Sequence, residues 1–270
     1  MSSQWVTKAG KATIQRGRVR ALLLDLDGTL YFRGEPIPHA DQATAALREM
    51  GFQLRFLTNT DSKTAGTLRR ELGEMGLAVA EAEIFSAATA ALRFLQERPD
   101  KRYYCLVSQE LTAAFAPFHA AEGAVDYVVV GDFRDSVSYD LLNTAFRHVM
   151  AGAEIVALQK GRYFVSSAGY NLDTGAFVQL LEYSSGKTAR VLGKPSAKFF
   201  RLAIEQMACS PEQVVVVGDD VTTDIAGARA VGALSVLVRT GKYSDEALER
   251  SSVKPDYVVD SIADVPHLLV

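Results

Sequence analysis

Short apolar runs alternate with helix-like segments along almost the whole chain, and no other feature constrains the fold as strongly. The runs are Ala21–Leu24, Tyr103–Val107, Tyr127–Val130, Ile155–Leu158, Val191-Leu192, Val214–Val217 and, apart from Ser235, Leu234–Val238; Gln53–Leu57 reads as a further strand. Between them the spacing predicts helices from Pro38 to Met50 with Gly51 as its stop, and from an N-cap at Asp61 or Ser62 through Met75-Gly76. Further helices are predicted over Ser86–Glu97, Leu111–His119, Tyr139–Met150, Phe177–Tyr183, Pro195–Met207 and Asp220–Val231. Unbroken apolar runs are the mark of strands buried on both faces of a parallel sheet. Strand–helix alternation supplies the right-handed crossovers such a sheet needs. The expected class is α/β, a parallel sheet core with helices on both faces.

Two boundaries interrupt the pattern, near Ala80–Ser86 and in the turn cluster Ser184–Thr188. They predict a discontinuous core, residues 21–82 and 187–270, with a second α/β domain inserted at 83–186. The first 20 residues carry Lys8, Lys11, Arg16, Arg18 and Arg20 and no acid. Such a segment is read either as a frayed basic terminus or as an Arg-rich targeting segment.

At 48% hydrophobic and 23% charged residues, the composition is that of a globular protein with a real core. A net charge of −3 argues against binding nucleic acid by neutralising phosphates. No run approaches the roughly 20 apolar residues of a membrane helix. Cys105 and Cys209 are far apart and lack metal-ligand spacing, which suits inert thiols in a reducing, cytoplasmic setting.

In open α/β sheets ligands bind beyond the carboxyl ends of the strands. Four polar groups stand at such ends. Asp25-Leu26-Asp27-Gly28-Thr29 follows the first apolar run, and Thr58-Asn59 follows the second. Lys194 sits between Gly193 and Pro195 after a short strand, and Gly218-Asp219-Asp220 with Asp224 follows an all-valine run. Asp25 and Asp27 are two positions apart and repel each other, unless a divalent cation neutralises one and the other keeps a proton. Mg²⁺ takes oxygen ligands and retains waters, so Asp25, the Asp27 carbonyl and Asp219 meet its needs. Asp224 or Asp220 are then candidates to hold its waters. The competing reading of these acids is helix N-terminal residues favoured by the macrodipole. Thr58 and Asn59 form a candidate anion cradle, and Lys194 a fixed cation that offsets the carboxylates.

In this order, the four groups resemble the motifs of the haloacid-dehalogenase-like phosphatase superfamily. The 135 positions between Asn59 and Lys194 are similar to the span of the large α/β cap of its class IIA members. Within that class the chain most resembles the phospholysine phosphohistidine inorganic pyrophosphate phosphatase group. The strings that carry this likeness are Lys160-Gly161-Arg162-Tyr163, Ala176-Phe177, Leu181-Glu182-Tyr183, Gly193-Lys194-Pro195-Ser196, Phe199-Phe200 and Arg239-Thr240-Gly241-Lys242. One departure is Leu158-Gln159-Lys160-Gly161, where many class IIA relatives carry a Thr-Asn-Pro-Asp-like loop.

The resemblance implies a Rossmann-like core with a cap, Mg²⁺ as cofactor and a small phosphorylated substrate. It also implies that Asp25 attacks phosphorus to give an aspartyl-phosphate, that Asp27 acts as acid and then base, and that Thr58, Asn59 and Lys194 hold the transferring group. Lys160, Arg162 and Asn171 are candidate substrate contacts of the cap, with a solvated loop as the alternative for the first two. Cap-mediated homodimers occur among such relatives. The competing functional class is a receiver-like regulatory module that is phosphorylated on aspartate but turns over slowly. A nucleotide-cofactor oxidoreductase is disfavoured, since no glycine-rich dinucleotide fingerprint follows the first strand.

Overall fold

The computed structural model describes residues 13–120, 122–166 and 169–269. In chain order, β1 (Ala21–Asp25) leads into a small hairpin, β2 (Tyr31–Phe32) and β3 (Glu35–Pro36), then α1 (Ala40–Glu49), β4 (Gln53–Thr58) and α2 (Ala65–Glu74). Next come β5 (Ile84–Ser86), α3 (Ala87–Gln96), β6 (Tyr103–Leu106), α4 (Thr112–Phe115), β7 (Tyr127–Val130), α5 (Tyr139–Met150) and β8 (Glu154–Ala157). A hairpin of β9 (Tyr163–Ser166) and β10 (Gly169–Leu172) precedes α6 (Thr174–Ser185) and β11 (Arg190–Val191). The remaining elements are α7 (Ala197–Glu205), β12 (Val214–Gly218), α8 (Ala226–Val231), β13 (Leu234–Val238), α9 (Asp245–Arg250), β14 (Tyr257–Val259) and α10 (Val265–Leu268).

The elements form two units. One comprises the chain up to Thr58, Arg69–Ile84 and the chain from Phe200 on; the other comprises Asn59–Leu68 and Phe85–Phe199. The first unit is built on a sheet in the order β14-β13-β12-β1-β4-β5, with parallel pairing along β14-β13-β12-β1-β4. Every residue of β1 and of β12 is buried, as the apolar runs require. The chain passes out of this unit within the edge strand β5.

The second unit is a parallel sheet in the order β11-β8-β7-β6. Its strands alternate between two apolar layers, as the period of two in an extended chain demands. Tyr103, Val129 and Val156 pack with Ala88, Ala91 and Phe94 of α3 and with Phe115 of α4. Tyr104, Leu106, Val128, Val130 and Ile155 pack on the other side with Ala145 and Val149 of α5 and Val178 and Leu181 of α6. Tyr103 stacks on Tyr127, with ring centroids 5.4 Å apart, and Phe94 meets Tyr127 edge-on at 5.5 Å.

Several local expectations differ from the structure. The helix expected from Asp61 or Ser62 starts only at Ala65, where the Thr64 hydroxyl accepts from the Thr67 N–H at 3.2 Å. Residues 59–68 instead bond within the second unit: the Ser108 hydroxyl donates to the Ser62 carbonyl, and the Thr64 N–H donates to Glu110. The helix expected over Leu111–His119 shrinks to Thr112–Phe115, because Pro117 lacks the N–H that would continue it. α6 begins three residues earlier than expected, capped by the Asp173 carboxylate. The hairpin β9–β10, with Tyr163, Tyr170 and Leu172 exposed, is not among the expected elements. Of the basic segment expected to fray, Lys8 and Lys11 lie outside the described residues. From Ile14 on it is folded: Ile14 and Val19 are buried, and the Ile14 N–H donates to the Leu268 carbonyl at 2.7 Å.

Candidate active site

Strand register brings distant acids together. β1 pairs with β12 so that Leu24 lies opposite Val217, and with β4 so that Asp25 lies opposite Leu57. Asp25, Thr58 and Asp219 therefore emerge within a residue or two of one another at the carboxyl edge of three adjacent strands. Asp25, Asp219 and Asp224 are buried, and each offers a carboxylate oxygen within 4.8 Å of the others.

The geometry of the cluster is set by glycines and by main-chain donors. Beyond β12 the chain makes a π-helical turn, Val221–Ile225, that carries Asp224 back over the strand end. Gly218 makes this return possible: a Cβ there would collide with the Asp224 carboxylate. Asp224 Oδ2 accepts from the Asp220 N–H at 3.3 Å. Asp219 Oδ2 accepts from the Lys242 N–H at 2.6 Å, and the Thr29 hydroxyl points to Asp25 Oδ2 at 3.4 Å. The Thr240 hydroxyl donates to the Gly28 carbonyl, tying the loop after β13 to the first acidic motif. Asp220 turns aside, and its Oδ1 accepts from the Thr222 N–H and hydroxyl, capping the turn. Asp27 is exposed at the strand tip.

Lys242 is the charged group at this site that the sequence reading left without a role. Lys242 is exposed, and partial desolvation by itself would lower the pKa of its ammonium, but Asp219, Asp220, Asp27 and Asp25 outweigh this and leave it raised. A cavity of about 20 Å³, room for about one water, lies against Asp219, Asp220 and Lys242. The signal for Lys242 was a fourth strand end: Leu234–Val238 empties into Arg239-Thr240-Gly241-Lys242, as β12 empties into its acids.

The three carboxylates form an all-oxygen, buried donor set, which matches the hard-cation preference of Mg²⁺. Buried charges of one sign persist when a counter-charge offsets them. The residues therefore fit the cation that the acidic motifs suggest.

In the second unit, Asn59 and Lys194 are joined through the main chain. The Lys194 N–H donates to Asn59 Oδ1 at 2.8 Å, and Asn59 Nδ2 donates to the Lys194 carbonyl at 3.1 Å. A Cβ at Gly193 would collide with Asn59 Oδ1 and the Leu158 carbonyl, so glycine is needed before this lysine. Two of the three candidate cap contacts, Lys160 and Asn171, are engaged by neighbours within the unit. Lys160 Nζ donates to both oxygens of Glu182, at 2.8 and 2.6 Å. Asn171 Nδ2 donates to the Gly169 carbonyl at 2.7 Å, and Arg162 is exposed.

Comparison with known proteins agrees with this arrangement. Residues 22–119 match a family model described as haloacid dehalogenase-like hydrolase, and residues 191–265 match a second described as HAD-hydrolase-like. The chain is 36% identical over 252 residues to human haloacid dehalogenase-like hydrolase domain-containing protein 2, covering 93% of this chain and 96% of the relative. It is 34% identical over 259 residues to phospholysine phosphohistidine inorganic pyrophosphate phosphatase of Xenopus laevis, covering 93% and 95%. Among solved structures, a 4-nitrophenylphosphatase of Thermotoga maritima superposes with a TM-score of 0.85 at 26% identity, over 93% of this chain and 97% of that one. With family models matching residues 22–119 and 191–265 and relatives matched nearly end to end, the chain belongs to the haloacid dehalogenase-like hydrolases.

Proposed function

We propose that this hydrolase is a Mg²⁺-dependent phosphatase that cleaves a small phosphomonoester, phosphoramidate or pyrophosphate through an aspartyl-phosphate on Asp25. The observation that carries the reading is the buried meeting of Asp25, Asp219 and Asp224 at the carboxyl edge of the sheet. The names of the relatives, a pyrophosphate phosphatase and a nitrophenylphosphatase, support the substrate class.

Asp25, Asp219 and Asp224 are the residues that would hold the cation, with the Asp27 carbonyl as a further oxygen. When bound, Mg²⁺ supplies charge neutralisation for the carboxylates and the phosphoryl oxygens. An Asp25 carboxylate oxygen attacks phosphorus, and the bond from phosphorus to the leaving group breaks as Asp27 gives that group its proton. Asp27, now ionised, takes a proton from the water that attacks the acyl phosphate. Inorganic phosphate leaves and Asp25 is regenerated. Thr58, Asn59 and Lys194 hold the phosphoryl group, and positioning with electrostatics accounts for most of the acceleration.

Asp25→Asn is the test. With p-nitrophenyl phosphate and Mg²⁺, wild type releases phosphate continuously, and the variant loses turnover by about three or more powers of ten while keeping its fold. Full activity in the variant removes the covalent step, and a stable phosphoprotein without release removes the phosphatase. A panel of phosphate esters, phosphoramidates and pyrophosphate then ranks the leaving groups.

Two unpaired thiols support a cytoplasmic setting. The large apolar side chains most exposed among the described residues, Tyr139, Tyr163, Tyr170, Leu172 and Tyr183 among them, all belong to the second unit, which supports a homodimer through it.

A further inference from the structure

The segment Asn59–Asp61 is fastened at both ends, and its second fastening is unexplained by the chemistry above. At one end Asn59 clamps the main chain of Lys194. At the other, the fully buried Asp61 accepts at Oδ2 from the Thr174 hydroxyl at 2.7 Å, and Thr174 is itself buried at the first turn of α6.

The surroundings of Asp61 are acidic. Asp173, the α6 cap, accepts from Gln159 Nε2 at 2.7 Å, and Gln159 also hydrogen-bonds Asp61. Asp132, beyond β7, is buried and paired with Arg134, whose guanidinium lies 4.1 Å from the centre of the Phe164 ring. Among the described residues, the titratable and charged groups facing Asp61 are thus Asp173, Asp132 and Arg134.

We propose that Asp61 is a positioning residue for the phosphoryl-holding pair Asn59 and Lys194, and that it fixes their segment in its uncharged form. The inference rests on the role given to that pair above. An uncharged carboxyl keeps the Thr174 bond and adds no charge beside Asp132 and Asp173. Ionisation puts a third negative charge into a buried network served by one guanidinium, and hydration of that charge pulls the segment from its seat. Burial, then the charges of Asp173 and Asp132, push the Asp61 carboxyl up to about 7, against the hydrogen bonds from Thr174 and Gln159. A carboxyl raised in the folded state stabilises the fold while protonated, and that contribution is lost as pH rises through about 7.

The experiment compares wild type, Asp61→Asn and Thr174→Val between about pH 5.5 and 8.5, the window around the Asp61 transition. It reads kcat and KM for p-nitrophenyl phosphate, the affinity for inorganic phosphate, and the thermal midpoint. Ratios between proteins at each pH cancel the titration of the phosphates themselves. In wild type KM rises and phosphate affinity falls about tenfold through neutrality relative to Asp61→Asn, with a smaller effect on kcat, and the midpoint declines more steeply. Asp61→Asn, whose amide oxygen still accepts from Thr174, keeps tight binding to the alkaline end. Thr174→Val binds phosphate more weakly throughout.

Parallel pH curves for wild type and Asp61→Asn overturn the proposal, and so does a pH-independent loss in Asp61→Asn. Absence of turnover with the expected phosphate-binding curves defeats the phosphatase and leaves Asp61 in its role. Absence of phosphate binding in every protein defeats the role itself.

Discussion

Gly241 should be nearly irreplaceable, and the reason is Asp219. Its φ of +60° lies in the left-handed region, where an L side chain costs about 1–2 kcal/mol. A Cβ there would also overlap Asp219 Oδ2 and the Cα of Gly28, which leaves no flexible side-chain end to move out of the way. The loop must retreat. Retreat breaks the bond from the Lys242 N–H to Asp219 Oδ2, and a hydrogen bond to a charged acceptor is worth about 1.5–3 kcal/mol. Gly241→Ala is therefore expected to cost about 2.5–5 kcal/mol in all.

Gly34→Ala separates the two contributions. Gly34 has φ +83°, but a Cβ there meets nothing within 4 Å, so only the backbone cost of about 1–2 kcal/mol applies. The assay is urea unfolding of both variants, paired with Mg²⁺ titration of the metal-free proteins followed by calorimetry. Gly34→Ala loses modest stability and binds Mg²⁺ as wild type does. Gly241→Ala loses more stability, and where the extra about 1.5–3 kcal/mol falls on Asp219, its Mg²⁺ affinity drops about 10- to 150-fold. Equal unfolding and equal Mg²⁺ affinity in the two variants would refute the claim that this loop orients Asp219.

Two further outcomes concern the second unit. Lys160→Met should lower unfolding stability by about 2 kcal/mol, because it removes the ammonium and leaves the buried Glu182 with, among the described residues, the Ala189 N–H as its donor. KM for p-nitrophenyl phosphate should not move; a raised KM at unchanged stability would return Lys160 to the substrate. Burial pushes the Cys105 thiol up to about 12, so iodoacetamide at pH 8 should leave Cys105 unmodified in the native protein and alkylate it after unfolding, as peptide mass spectrometry reads.

The core of the fold was legible because its strands carry a signal that burial enforces. Ala21–Leu24 and Val214–Val217 are apolar at every position, and each is buried at every position. The same reasoning located Asp25 and Asp219, since a residue just past such a run stands at the strand end whatever the loops do. Legibility failed where a polar residue had two local roles open to it. Asp61 had the chemistry of an N-cap, but the helix starts four residues later, at Ala65, with Thr64 as its cap. The choice between the cap and the bond to Thr174, 113 positions away in the chain, is made by tertiary packing. The hairpin β9–β10 escaped for a related reason: Tyr163, Tyr170 and Leu172 are exposed, so its apolar side chains do not mark a core face.

The division of labour among the three acids after β12 follows from backbone geometry, and it shows how far spacing alone can be pressed. Consecutive residues leaving an extended strand point to opposite sides, so Asp219 and Asp220 could not both face Asp25. Asp220 takes the capping role open to an acid at the start of a turn, and it spends Oδ1 on Thr222. Asp224 returns to the cluster through the π-helical turn, in which the Ile225 N–H reaches back to the Asp220 carbonyl five positions earlier. Gly218 leaves the space that the Asp224 carboxylate fills. Lengthening the side chain at 218 by one methyl group and moving the acid from 224 are then two ways of undoing one contact. Gly218→Ala and Asp224→Ala should weaken Mg²⁺ binding by amounts that do not add when combined.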